Sequence, residues 1–251
     1  MDLLSRNKPV DARKTLSEAL QIKGLSPADA DRIRTTLTEL NERIVFGRDV
    51  AANDPFARLY AIESGDVLAK LPRKLSLTVD WRFIQRINDL ADPQFIQVGQ
   101  KIKVVTGPFH AVVCKPEFRL DLYMGNGDER VYVRSFTVGL GEFDATPEGV
   151  FAVRANSKLI NPEWVNPRTG EHFYADDPNN PIGERWIGLV GVSENIRDLS
   201  GYGIHGTIDR DSIGAMKSMG CVRMRSDDIN KLYELLMENV SRVEIRGEDA
   251  S

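Results

Sequence analysis

The chain has 251 residues, with 33 basic and 37 acidic side chains, a net charge of −4 and an apolar content of 41%. That length suits one large domain or two modest ones, and the composition is that of a soluble globular protein. The small, interspersed charge gives no electrostatic case for nucleic acid or an anionic membrane, and no apolar run is long enough to span a bilayer.

The first residues, Met1-Asp2-Leu3-Leu4-Ser5-Arg6, lack the apolar core of a signal peptide. Residues 9 to 46 read as two helices. In the first, Ala12, Leu16, Ala19 and Leu20 share one face, and Gly24 is placed to end it. Ser26-Pro27-Ala28-Asp29 opens the second: a cap, a first-turn proline and an acid near the positive helix start. Ile33, Leu37, Leu40 and Ile44 then recur at helical spacing, so a helical hairpin followed by a linker is expected over residues 1–55. Its plain role is packing or spacing. The polar stretch from Gly47 to Pro55 reads as the linker.

Residues 56–105 read as strand, helix, helix, strand. Leu59 to Ile62 is the first strand, Ser64-Gly65-Asp66 a turn, and Val67, Leu68 and Leu71 begin a helix. Trp81, Ile84, Ile87 and Asn88 suit a second helix, and Gly99-Gln100 precedes a closing strand to Val104. With Tyr60, Gly65-Asp66, Leu68, Asn88 and Gly99-Gln100, the segment resembles the lysin motif (LysM), a small glycan-binding module. The resemblance implies a shallow groove between Glu63–Asp66 and Asp92–Val98 for glycan strands. A spacer that binds nothing is the alternative.

From Phe109 short β-rich runs take over. Phe109–Lys115 and Phe118–Met124 read as strands joined by a tight connection at Lys115-Pro116-Glu117, with further strands over Arg130–Val138 and Val150–Val153. His110 and Cys114 share one face of the first strand and read as ordinary sheet residues. Residues Asn156 to Glu184 are polar, hold four prolines and read as a long irregular loop. Trp164, His172, Phe173 and Tyr174 lie in it as candidates for stacking on substrate, with His172 a minor acid–base candidate. Near the end, Ser226 reads as the cap of a helix carrying Ile229, Leu232, Tyr233 and Leu236 on one face, and Val243–Ile245 as a last strand.

The chemistry concentrates between Ile204 and Met224. Of three histidines and two cysteines, His205 and Cys221 stand 16 positions apart, each beside a glycine, Gly206 and Gly220. A thiol becomes a nucleophile as its thiolate, and an imidazole can take its proton. The glycines allow close backbone approach, and inward-pointing N–H groups of Gly220 and Cys221 would hold an oxyanion. Two cysteines make no disulfide framework, and Cys114 is expected to stay reduced.

His205-Gly206 followed by Ser218, Gly220-Cys221, Val222 and Arg223 resembles the signature of the L,D-transpeptidase (YkuD-type) catalytic domain. Thr146-Pro147-Glu148-Gly149 and Asn180 to Leu189, which includes Trp186, are similar to other segments of that family. Met219 stands where many members have a second histidine, which leaves His205 as the one base in the motif. The resemblance implies an α+β multidomain chain: helical hairpin, βααβ LysM module, and a mostly-β catalytic domain over 106–251. It implies Cys221 as nucleophile and His205 as base, oriented by a backbone carbonyl, that of Gly206. It further implies Ser218, Trp186 and Arg223 on the substrate side. Ser218 would also shape the loop. Arg223 would either bind a substrate carboxylate or pair with an acidic neighbour.

The implied partners are peptidoglycan stem peptides and glycan strands, with a protein acceptor as a further option. No metal or cofactor is called for. A wall substrate places the enzyme in the cell envelope, so an export signal or anchor upstream of these residues is expected. A carboxypeptidase on the same stem peptides, or a non-catalytic wall-binding scaffold, are the alternative readings.

Overall fold

The computed structural model describes residues 8–197 and 199–247. The stretch read above for an export signal lies outside them. The chain divides into two compact units, Met1–His110 with Leu122–Ser135, and Ala111–Asp121 with Phe136–Ser251.

The first unit begins with helices α1, Pro9–Ala19, and α2, Pro27–Ile44. Ser26 caps α2 by accepting a hydrogen bond from the Asp29 amide. Helix α1 stops at Ala19, short of Gly24, which sits at φ +82° in the connection to α2. The buried face of α1 also differs from the apolar stripe expected: it is Ala12, Arg13 and Ser17, with Leu16 only half covered. Long-range polar partners account for this. Arg13 makes two hydrogen bonds to Asp54, at 2.7 and 3.1 Å, with both side chains 1% exposed. Paired in this way, a guanidinium can be buried without a bare charge. The polar "linker" therefore carries an internal anchor.

Strands β1, Ala57–Ala61, and β2, Lys101–Val105, pair antiparallel. Between them lie a 3₁₀ turn at Leu68–Lys70 and helices α3, Leu71–Lys74, and α4, Trp81–Ile87. Buried Asn88 splices α4 to β2: its amide donates to the Ile84 and Lys103 carbonyls and its oxygen accepts from the Lys103 N–H. Lys103 is itself buried, its ammonium 2.7 Å from the Ile44 carbonyl and 2.8 Å from that of Gly47, so it caps the end of α2. Burial lowers its pKa to about 8.

The largest sheet has eight strands. It introduces β3, Phe109–Cys114; β4, Arg119–Met124; and β5, Val131–Thr137. Farther along come β6, Leu140–Gly141; β7, Gly149–Ile160; β8, Trp164–Val165; β9, His172–Phe173; and β10, Arg185–Gly191. The last are β11, Gly203–Gly206; β12, Met216–Ser218; β13, Val222–Met224; helix α5, Ser226–Leu235; and β14, Arg242–Arg246. The order is β13-β11-β10-β7-β14-β3-β4-β5, with β12-β6 and β8-β9 as separate pairs. No helix among the described residues is long and apolar enough to cross a membrane.

Edge strand β5 would leave bare backbone groups. Side chains of the two helices cover them: Ser17 Oγ accepts from the Tyr132 N–H, and Asn41 Nδ2 donates to the Tyr132 and Val133 carbonyls at 2.9 and 3.0 Å.

Two expectations in the second unit need correction. The run Asn156 to Ile160 is strand, because β7 continues through it and pairs with β10. Glu238 accepts the Ser157 and Lys158 amides at 2.8 and 2.9 Å, which holds the bend there. The rest of the expected loop is tied down: Asn180 Nδ2 donates to the Pro162 carbonyl, and Trp164 lies against Phe173 in the β8–β9 pair. His172 faces Glu163 and the Tyr174 ring. Ser226 is the first residue of α5 and not its cap; Arg225 holds that position, with no capping side chain.

Asn41→Ala removes the donors that cover two buried strand carbonyls. It should destabilise the protein by roughly 1–3 kcal/mol, read as a lower denaturant midpoint, whereas a surface change such as Glu39→Ala should leave the midpoint in place.

Candidate active site

The site is assembled on the edge of the sheet. His205 lies in β11 between two partners: Trp186 of β10 in antiparallel register and Arg223 of β13 in parallel register. Register partners share a face, so Trp186, His205 and Arg223 form a row across three strands. The Trp186 and His205 rings stack at 5.5 Å with 16° between planes. His205 is buried, 4% exposed. Its Nδ1 lies 2.6 Å from the Gly206 carbonyl oxygen, the acceptor expected from the sequence. A carbonyl can only accept, so Nδ1 carries the proton and Nε2 is left with its lone pair.

Cys221 is half-buried and free, two positions before Arg223 on the same strand line. Its thiol points toward the Gly201 carbonyl at 3.7 Å. Ser218 shapes the turn that presents it: the hydroxyl donates to the Cys221 carbonyl at 2.6 Å and accepts from the Gly220 N–H at 3.1 Å. The Gly220 N–H is therefore engaged and does not point to a bound oxyanion, contrary to the expectation for it. The Cys221 N–H, among the described residues, has no acceptor.

Gly220 needs to be glycine. Its φ is +130°, and a Cβ there would sit 2.7 Å from the Tyr202 ring and 2.9 Å from the Ala145 carbonyl oxygen. Gly206 has no such need: the nearest atom to a Cβ would be Ile229 Cγ2 at 3.4 Å. Its neighbour is Gly183, whose φ is +67° and whose own Cβ would crowd Gly206 at 3.1 Å. The segments Thr146–Gly149 and Asn180–Leu189 thus reach the site by backbone. Thr146 Oγ accepts from the Gly141 N–H, and Gly141 lies against Gly220. Tyr202 and Gly141 were not singled out by sequence reasoning; nothing in their local pattern marks them.

Arg223 is paired with Asp209 at 3.7 Å, and its buried Nε has no partner. Its charge acts on both His205 and Cys221. Burial lowers the His205 pKa to about 4, with Arg223 adding to the shift, against opposing bonds to the Gly206 and Ile182 backbone. Burial pushes the Cys221 thiol up, while the Gly203 backbone and Arg223 pull it down. Both directions favour a resting pair of neutral thiol and neutral imidazole.

A buried imidazole held by a backbone carbonyl, a thiol on a glycine turn and an adjacent guanidinium define a candidate thiol–imidazole site. The model of the L,D-transpeptidase catalytic domain (YkuD) matches residues 108–245. The chain belongs to this family. The putative L,D-transpeptidase YqjB of Bacillus subtilis is 34% identical over 131 residues, 52% of this chain and 67% of that one. The putative L,D-transpeptidase YkuD of the same organism is 26% identical over 196 residues, 74% of this chain and 97% of that one. Among solved structures, an L,D-transpeptidase from Mycobacterium smegmatis is 16% identical with a TM-score of 0.41, over 60% of this chain and 64% of that one. One from Stackebrandtia nassauensis is 19% identical with a TM-score of 0.37, over 56% of each chain. The chain thus spans less than two thirds of either solved chain.

Two measurements test this geometry. Alkylation of Cys221 by iodoacetamide should accelerate about tenfold per pH unit between roughly pH 6 and 8, as for a protonated thiol; a rate already level from pH 5 would indicate a thiolate–imidazolium pair instead. Gly220→Ala should lower stability by roughly 1–3 kcal/mol, and Gly206→Ala by distinctly less, as read by thermal unfolding.

Proposed function

We propose that the chain is a peptidoglycan L,D-transpeptidase. The observation that carries the reading is the His205 Nδ1–Gly206 carbonyl bond, which fixes the tautomer that can deprotonate Cys221. His205 Nε2 takes the thiol proton as Sγ attacks the carbonyl carbon of the third stem residue. The resulting oxyanion accepts from the Cys221 N–H. The C–N bond to the terminal D-alanine breaks, and the imidazolium returns its proton to the leaving amine. A thioester remains.

An amine of a neighbouring stem then attacks the thioester. It gives a proton to His205, the C–S bond breaks, and the thiol is restored as the crosslink forms. Water in place of the amine yields a tripeptide, so transfer and hydrolysis share one intermediate. Arg223, whose pairing with Asp209 is at 3.7 Å, offers its terminal guanidinium nitrogens to a substrate carboxylate beside the thiol. Trp186 keeps water from one face of the imidazole through its stacking.

The βααβ segment serves as a LysM-like glycan holder. Phe95 and Val98, 77% and 71% exposed, crown the loop that borders its groove. A wall substrate places the enzyme outside the cytoplasm.

The test is incubation with disaccharide-tetrapeptide, with products resolved by mass. Crosslinked dimers and free D-alanine are expected, and Cys221→Ala should abolish both. The acid limb of kcat/KM should fall near pH 4, because below its lowered pKa His205 is protonated and cannot accept the thiol proton. Turnover retained in Cys221→Ala would end the mechanism.

A further inference from the structure

The loop that follows β6 carries an aromatic side chain with no structural employment. Phe143 is 97% exposed and sits at φ +50°, and Asp144 beside it is at φ +61°. Left-handed backbone at two successive residues other than glycine is unfavourable and persists only where the surroundings enforce it. Here they do. Buried Lys115 holds Asp144 at 2.7 Å and Glu148 at 3.0 Å. Thr146 Oγ holds the Gly141 amide at 2.8 Å. Arg168, from the turn between β8 and β9, reaches Glu142 at 3.4 Å. Every neighbour of Phe143 is tethered, and the ring is held out into solvent by the tethers.

The loop is also next to the nucleophile. Gly141 pairs with Ser218, and a Cβ on Gly141 would lie 2.9 Å from Gly220 Cα. The Ala145 carbonyl closes on Gly220 from the other end of the loop. Phe143 is two residues from Gly141, hence within about 7 Å of it along the chain. Three extended residues span about 10 Å. A ring at this rim is therefore within reach of what lies at the start of a stem peptide whose third carbonyl is at Cys221.

We propose that Phe143 is a stacking platform for a sugar ring of the donor strand, a specificity-determining residue that distinguishes glycan-linked stems from free peptide. It rests on the peptidoglycan reading above. The charges decide between sugar and peptide. Glu142 and Asp144 flank the ring and already engage the cations Arg168 and Lys115, so a carboxylate-bearing peptide segment meets no open cation there. A neutral pyranose suits the place: its C–H face covers the aromatic face, and its hydroxyls donate to the two carboxylates. Because the loop is already fixed, little ordering opposes the contact.

The test is binding, so that it does not depend on turnover. In a Cys221→Ala background, the Kd for disaccharide-tetrapeptide and for the same tetrapeptide without sugars is measured by calorimetry. The disaccharide form should bind more tightly. Adding Phe143→Ala should weaken it about fivefold and leave the free peptide unchanged, while Phe143→Trp should retain the preference. Equal affinity for the two ligands, no detectable binding of the disaccharide form, or equal losses for both in Phe143→Ala would overturn the proposal. If the sugar preference holds while the unmutated enzyme releases no D-alanine, the platform stands and the transpeptidase reading falls.

Discussion

The proposed chemistry depends on one short hydrogen bond. His205 gives its Nδ1 proton to the carbonyl of the very next residue, so the ring's tautomer is set without any acidic side chain. The acceptor, Gly206, is the last residue of β11 and in register with Met224 of β13. Trp186 fixes the ring plane from one side of the sheet row and Arg223 occupies the other. Burial lowers the His205 pKa and raises that of Cys221, so at rest the imidazole and the thiol are both neutral.

The thiol is placed by a different device. Ser218 ties both ends of the Gly220 turn, and the backbones of Gly141, Ala145 and the Tyr202 ring close around Gly220. The same knot that presents Cys221 therefore consumes the Gly220 amide. In the proposed mechanism the Cys221 N–H is then the backbone donor left for the oxyanion. The loop that supports Gly220 is in turn pinned by Lys115, Thr146 and Arg168, so Cys221 rests on backbone-to-backbone packing and polar ties.

The parts legible in the sequence were those whose cause is local. His205 and Cys221 stood out because both types are rare in this chain and each adjoins a glycine. The cap at Ser26, the helix it starts and the strand–helix–helix–strand order followed from neighbouring residues. What could not be read depended on partners far away in the chain. Arg13 is buried on α1 because Asp54 meets it 41 positions later, and Asn41 is buried because strand β5 arrives 91 positions on. The long strand β7 looked like loop since its polar residues are satisfied by β10 and Glu238. The engaged amide of Gly220 was hidden for the same reason, as was the site contact of Tyr202.

The most direct measurement is intact-protein mass spectrometry after rapid mixing with disaccharide-tetrapeptide. A covalent adduct should form with the mass of the donor less D-alanine, map to Cys221 and vanish under neutral hydroxylamine, as a thioester does. Donor consumed with no adduct at Cys221, or an adduct that forms equally well when His205 is replaced by alanine, would contradict the thiol–imidazole mechanism.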